Sequence, residues 1–371
     1  MYTENKLVGI ARRKNNTKRK YLVVNRLQGK HVPVKPSEAF AMFDELADLV
    51  GRAYPKERLL LVGFAETATA IGAHLAVRLQ SRYLQTTRED VPGAEYLCFS
   101  ETHSHATEQR LVRTAPDRIL RSGGADRIVF VEDEVTTGNT ILNIIDIMER
   151  EYPGCPPFSV ASLLNGMDPE ARARYDSRGI ALHYLLKTCH DGYTDRADRA
   201  AGDGTSFPCR TDAPSLPIRE LTVPGAVDPR VFTDGDSCRL ACGQLWQSVR
   251  PLIEGSSADR ILVLGTEECM YPALFVAREA ERAGRCVRCH STTRSPIQPG
   301  TGEDYPLHAA YELRSLYDRE RITWIYDLAA YDLVLIVTDA PSVGEDGGNS
   351  LQNALADCGN QNIVFVRWCV S

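Results

Sequence analysis

The sequence predicts an α/β protein built on parallel sheet, with its pattern repeated in a second half. Three observations predict it. Short apolar runs alternate with amphipathic segments, as in chains of βαβ units. One apolar run ends in acids and a small-residue turn that opens a helix. Four segments also recur in the same order in both halves: Leu60–Glu66 with Leu262–Glu267, Thr86–Arg88 with Thr292–Arg294, Ser104–Ala106 with Leu307–Ala309, and Asp126–Asp133 with Asp332–Asp339. Ordered recurrence of this kind indicates a diverged internal duplication.

In the first half, Tyr21–Leu27 reads as a strand and Ser37–Arg52 as an amphipathic helix with Ser37 as N-cap. Leu59–Val62 is a short buried strand, Ala70–Gln80 a helix, and Tyr96–Phe99 a strand before a polar loop, Ser100–Arg110. Arg127–Val131 reads as a strand, Thr140–Arg150 as a helix, and Phe158–Leu164 and Ile180–Leu186 as further strands. Residues 188–230, rich in Gly, Asp, Ser and Pro and without period, read as a long linker or excursion. Beyond them Ile261–Leu264, Val287–Thr292 and Leu333–Val337 read as strands, and Tyr271–Ala283 and Leu307–Tyr317 as helices. The expected division is 1–190, a linker at 191–227, and 228–371.

Composition narrows the class. Hydrophobic residues make up 43% and charged residues 25% of the chain, ordinary for a globular protein. The net charge of -6 argues against broad nucleic-acid binding. Residues 1–35 depart from that average, with ten Lys or Arg against the single acid Glu4. This segment is either a solvated basic arm or a cover over an anionic ligand. No apolar run reaches the roughly 18 residues of a membrane helix, and the N-terminus lacks a signal-peptide core. A cytoplasmic setting follows as the expectation, with the eleven cysteines reduced.

The chemistry concentrates in Ile128-Val-Phe-Val-Glu-Asp-Glu-Val-Thr-Thr-Gly-Asn-Thr140. A buried strand delivers Glu132 and Asp133 to its carboxyl edge, where α/β sheets bind ligands. The turn Thr136, Thr137, Gly138, Asn139, Thr140 offers backbone amides, hydroxyls and a helix N-terminus, a cradle for phosphate. Gly138 permits close approach and a positive φ. The two acids would accept hydrogen bonds from sugar hydroxyls, directly or through hydrated Mg²⁺.

This stretch resembles the motif of type I phosphoribosyltransferases that binds 5-phosphoribosyl-1-pyrophosphate (PRPP). The resemblance implies a Rossmann-like parallel sheet with helices on both faces, followed here by a second, degenerate copy. It implies a pyrophosphate loop at Ala65, Glu66, Thr67 and Ala68, assisted by Arg88, and a closing loop carrying His103 and His105. It further implies Mg²⁺, PRPP and a small acceptor as ligands, and pairing as a homodimer or internal pseudo-dimer. The whole chain is also similar to a narrower bacterial family whose C-terminal domain is named for a Thr-Arg-Ser-Pro signature and which is associated with tellurite-resistance and stress operons. That signature stands here as Thr293-Arg-Ser-Pro296. Arg19, Lys30, His31 and Arg294 are the candidates for meeting the acceptor.

The second copy has one acid, Asp339, where the first has two, and continues Ala-Pro-Ser-Val-Gly344. Pro341 also removes an N–H donor, so this copy is not expected to bind PRPP. Arg294 and Glu267 there either face a ligand or form an internal salt bridge. Cys286-Val-Arg-Cys-His290 spells a haem-attachment motif, and Cys238, Cys242, Cys286 and Cys289 are feasible zinc ligands by type. The motif reads as a strand instead, and neither site is expected. The function expected is transfer of a phosphoribosyl group with release of pyrophosphate. Its alternatives are a regulatory protein that binds PRPP or a nucleotide without chemistry, and the reverse reaction in the same pocket.

Overall fold

The computed structural model describes residues 2–14, 19–100 and 108–370, and for Ser100 and Glu108 the backbone alone. The chain opens with α1 (Glu4–Leu7), β1 (Val8–Arg13), β2 (Tyr21–Asn25) and α2 (Pro36–Ala53). Then come β3 (Leu59–Gly63), α3 (Thr69–Leu79), β4 (Arg82–Gln85), the antiparallel pair β5 (Tyr96–Ser100) and β6 (Glu108–Val112), and α4 (Thr114–Arg121). β7 (Arg127–Val135), α5 (Asn139–Glu151), β8 (Phe158–Asn165), α6 (Pro169–Ser177) and β9 (Ala181–Lys187) follow. The middle of the chain forms α7 (Tyr193–Arg199), β10 (Thr205–Phe207), β11 (Glu220–Pro224), β12 (Thr233–Asp234) and α8 (Gly235–Glu254). Last come β13 (Arg260–Gly265), α9 (Tyr271–Arg282), β14 (Cys286–Ser291), β15 (Ile297–Gln298), β16 (Ala309–Arg314), β17 (Ile322–Tyr326), β18 (Leu333–Thr338), α10 (Glu345–Asp357) and β19 (Ile363–Cys369).

Two compact units form. Unit 1 comprises residues 1–2, 41–190 and 227–240; unit 2 comprises 3–40, 191–226 and 241–371. The division thus differs from a cut at 190, because the basic N-terminal segment belongs with unit 2. There β1 pairs antiparallel with β2 on one side and β15 on the other. Ala11, Val24, Ile297, Leu307 and Tyr326 bury one face of that small sheet.

The sheet of unit 1 runs β4-β3-β7-β8-β9, all parallel, with β12 antiparallel at the β4 edge. Every residue of β3 and the run Ile128–Val131 of β7 is buried, as central strands covered on both faces require. The chain lays β4 on one side of β3, then returns to lay β7 on the other. The loops leaving β3 and β7 therefore part at a topological switch point, the place where such sheets open a crevice.

Unit 2 repeats this frame as β14-β13-β18-β19, also parallel, with β11 in the fifth place. Register is retained between the copies: Leu60 faces Ile128 and Arg82, and Leu262 faces Val334 and Arg288. Thr86 N–H donates to Gly63 O at 2.9 Å, and Thr292 N–H to Gly265 O at 3.1 Å. Leu262, Leu264, Ile336, Leu355 and Phe365 lie at the centre of its core, each worth roughly 1.5–3 kcal/mol when fully buried.

Several sequence expectations are corrected. Leu307–Tyr317 is not a helix; its middle is β16, paired with β17 in an antiparallel ladder. Residues 188–230 are not structureless, since they contribute α7, β10 and the sheet strand β11. Ser37 is not an N-cap: the helix begins at Pro36, and the Ser37 amide and hydroxyl both donate to the Glu281 carboxylate. The strand reading of Cys286–His290 holds: the segment lies in β14, with Cys286 exposed and Cys289 buried. Among the described residues no helix is long and apolar enough to cross a membrane.

Candidate active site

The candidate site of unit 1 is built at the switch point from two loops. After β7, the turn Thr136–Gly138 leads into α5, whose first turn contains no acid. Gly138 caps that helix at φ 68°, in the left-handed region. A Cβ there would collide with the Tyr175 hydroxyl, so glycine is required both by conformation and by space.

The turn is braced from α6. Asp168 caps that helix by accepting from the Ala171 amide at 2.7 Å, and Pro169 follows it in the first turn. The helix so placed sends the Tyr175 hydroxyl to Gly138 O at 2.6 Å. Arg174 donates to Asn139 Oδ1 at 2.7 Å and to Thr137 O at 3.0 Å. Three hydrogen bonds from one helix therefore fix the candidate phosphate cradle.

The second loop, Phe64–Ala68, leaves β3. The Ala65 amide donates to Thr86 Oγ1 at 2.8 Å, and Gln109 Nε2 donates to Ala65 O at 2.8 Å. The Thr86 hydroxyl in turn donates to Gln109 Oε1 at 2.8 Å. Ala65, Glu66 and Ala68 are buried. Arg88 follows β4, half-buried, and its carbonyl accepts from Arg110 at 3.0 Å.

The β3 loop meets the carboxyl end of β7, which leads into the turn, through a hydrogen bond from Thr67 Oγ1 to Asp133 Oδ1 at 2.9 Å. Burial first and the neighbouring Glu134 carboxylate second raise the Asp133 carboxyl to about 6, with the Thr67 bond pulling the other way. A carboxyl raised in this way, mainly by burial, gains from a cation beside it, and the carboxylate oxygens of Glu132 and Asp133 are donors of the kind Mg²⁺ takes.

Next to these acids lies a pair that the motif alone does not reveal. Glu134 Oε1 is 3.2 Å from His190 Nε2, and the Thr188 hydroxyl is 3.2 Å from the same nitrogen. A Cβ at Gly166 would collide with that ring nitrogen, so glycine there makes room for the imidazole. The alternation of β7 is the available signal for Glu134, since it puts Glu132 and Glu134 on the face opposite Asp133. Nothing in the local sequence points to Arg174, Tyr175, Gln109 or His190.

His103 and His105 lie outside the described residues. Arg19, Lys30, His31 and Arg294 all belong to unit 2. Arg19 stacks on Tyr21, 4.7 Å from the ring centroid, and His31 meets Tyr326 edge-on. Lys30 is fully buried and donates to Glu267 O and Thr292 O at 3.1 and 3.0 Å. Arg294 pairs with Glu267 at 2.6 Å, the salt-bridge arrangement.

The family model described as phosphoribosyl transferase matches residues 7–188, and the one described as TRSP domain C terminus to that family matches residues 238–355. No curated protein matches the sequence. Among solved structures, adenine phosphoribosyltransferase from Trypanosoma brucei, in complex with AMP, pyrophosphate and ribose-5-phosphate, is 14% identical. The match covers 49% of this chain and 76% of that one, with a TM-score of 0.35. The Rhodothermus marinus adenine enzyme is 13% identical over 49% and 94% of the two chains, TM-score 0.35. Orotate phosphoribosyltransferase from Aeropyrum pernix is 17% identical over 53% and 94%, TM-score 0.33. With both models matched in order along it, this chain belongs to the phosphoribosyl transferase family that carries a TRSP domain at its C-terminal side.

Proposed function

We propose that unit 1 binds PRPP and transfers its 5-phosphoribosyl group to a small, nitrogenous, base-like acceptor, releasing pyrophosphate. The observation that carries this reading is the junction of the β3 loop with the end of β7, Thr67 to Asp133, at the switch point. One end of that junction leads on into a braced, acid-free helix N-terminus suited to a 5-phosphate. The other is a buried small-residue loop suited to a diphosphate.

In this reading Thr136–Thr140 hold the 5-phosphate and Glu132 and Asp133 accept hydrogen bonds from the ribose 2′- and 3′-hydroxyls. The Ala65–Ala68 loop and Arg88 take up charge that builds on the departing diphosphate. Mg²⁺, when bound between substrate oxygens and these acids, would neutralise part of that charge. The reaction needs no protein nucleophile, because the acceptor attacks C1 as the diphosphate leaves.

The test is pyrophosphate release from PRPP with Mg²⁺ across nucleobases, aromatic acids and amines, with Asp133→Asn as control. Release that depends on an acceptor and disappears in the variant supports the transferase. Binding without release on any acceptor would instead make the protein a PRPP-dependent regulator.

A further inference from the structure

The loop after the first sheet strand has the same frame in both units, but its contents differ. In unit 2 it is Thr266–Met270. Glu267 takes the place of Ala65: its amide donates to Thr292 Oγ1 at 3.1 Å, just as the Ala65 amide donates to Thr86 Oγ1. Arg294 takes the place of Arg88, each being the third residue of a Thr-Thr-Arg run whose middle threonine bridges a neighbouring strand.

The Glu267 side chain turns into this frame and is met there by cations. Its Oε2 is 2.6 Å from Arg294 Nε and 2.9 Å from Arg321. The Ser315 hydroxyl donates to its Oε1 at 2.5 Å. Glu268 adds a second carboxylate, 3.6 Å from Arg294. Both glutamates are buried. The Glu267 backbone is at φ 46°, a left-handed conformation that a residue with a long side chain keeps only when its surroundings fix it.

We infer that unit 2 contains an anion site of the phosphate type, occupied from within by the carboxylate of Glu267. Two guanidinium groups and a hydroxyl converging on one oxyanion are the recognition chemistry of a phosphate group. The carboxylate supplies that anion permanently. The inference rests on reading the Ala65–Ala68 loop as the diphosphate site of unit 1. It gives unit 2 the standing of a copy that carries its own anion.

The experiment is calorimetric titration of pyrophosphate with Mg²⁺ into the full chain. The wild type is expected to bind one equivalent, in unit 1. Glu267→Gly removes the carboxylate and suits the positive φ; it is expected to bind a second equivalent, which Arg294→Met on the same background abolishes. A folded Glu267→Gly protein with unchanged stoichiometry would overturn the inference, and so would a wild type that binds two. No binding by the wild type but one equivalent in the variant would sink the unit 1 reading and leave this one standing. Arg294→Lys in the wild-type background gives a second readout. Its pyrophosphate affinity should stay within twofold, whereas a tenfold loss would mean Arg294 serves a ligand and not Glu267.

Discussion

At the scale of residues, both loops depend on a few side chains whose environment leaves little choice. Gly138→Ala meets both a positive φ and the Tyr175 hydroxyl. It should cost about 1–3 kcal/mol of stability and at least tenfold in PRPP affinity, measured by urea unfolding and calorimetry. Arg294→Met leaves Glu267 with a weakened set of partners; breaking a buried pair costs about 3–5 kcal/mol, which thermal unfolding would register. His290 tests the interior of unit 2. It is buried, its Nε2 lies 3.1 Å from Tyr326 O, and burial pushes its pKa down to about 3 from the usual 6.5. The unfolded chain therefore binds the proton first, and stability should fall as pH drops from 6.5 towards 3, by at most about 1.4 kcal/mol per pH unit. His290→Asn should flatten that slope; an unchanged slope would assign it to other groups.

At the scale of elements, α5 and α10 make the most instructive pair. Both are 13 residues long and both follow a glycine at positive φ. The first has no acid in its opening turn, whereas the second has Glu345 and Asp346 there. Acids satisfy the helix dipole that a phosphate would otherwise use. Transplanting them as Asn139→Glu with Thr140→Asp should raise or maintain stability by up to about 1 kcal/mol while abolishing PRPP binding. A variant that binds normally would remove the 5-phosphate from this loop. The elements also differ in how far they could be read in advance. β7 was legible because its uninterrupted apolar run ends abruptly in acids, as a buried strand does where it reaches a polar crevice. β16 was not, because Leu307–Tyr317 is rich in helix formers, and pairing with β17 overrode their preference. β11 was hidden because only Val223 in it is buried, so its place in the sheet comes from backbone hydrogen bonds to β19.

At the scale of the whole molecule, duplication explains why one sequence carries two sheets whose four core strands share order and register but one set of PRPP-motif acids. The order of matching segments made the repeat legible, since the strand cores and the Thr-Thr-Arg turns stayed alike. The ownership of residues 3–40 by unit 2 was not legible, because Lys30 reveals its role only once buried against Glu267 and Thr292 carbonyls. Arg174 and Tyr175 were invisible for a similar reason: they reach the cradle only after α6 folds back on the turn before α5. The central claim is that the β3 and β7 loops of unit 1 form one PRPP site. It is tested most directly by titrating PRPP with Mg²⁺ into the full chain and into Asp133→Asn. One saturable equivalent is expected in the wild type, weakened at least tenfold in the variant. Absence of binding by a folded wild-type protein, or equal binding by the variant, would contradict it.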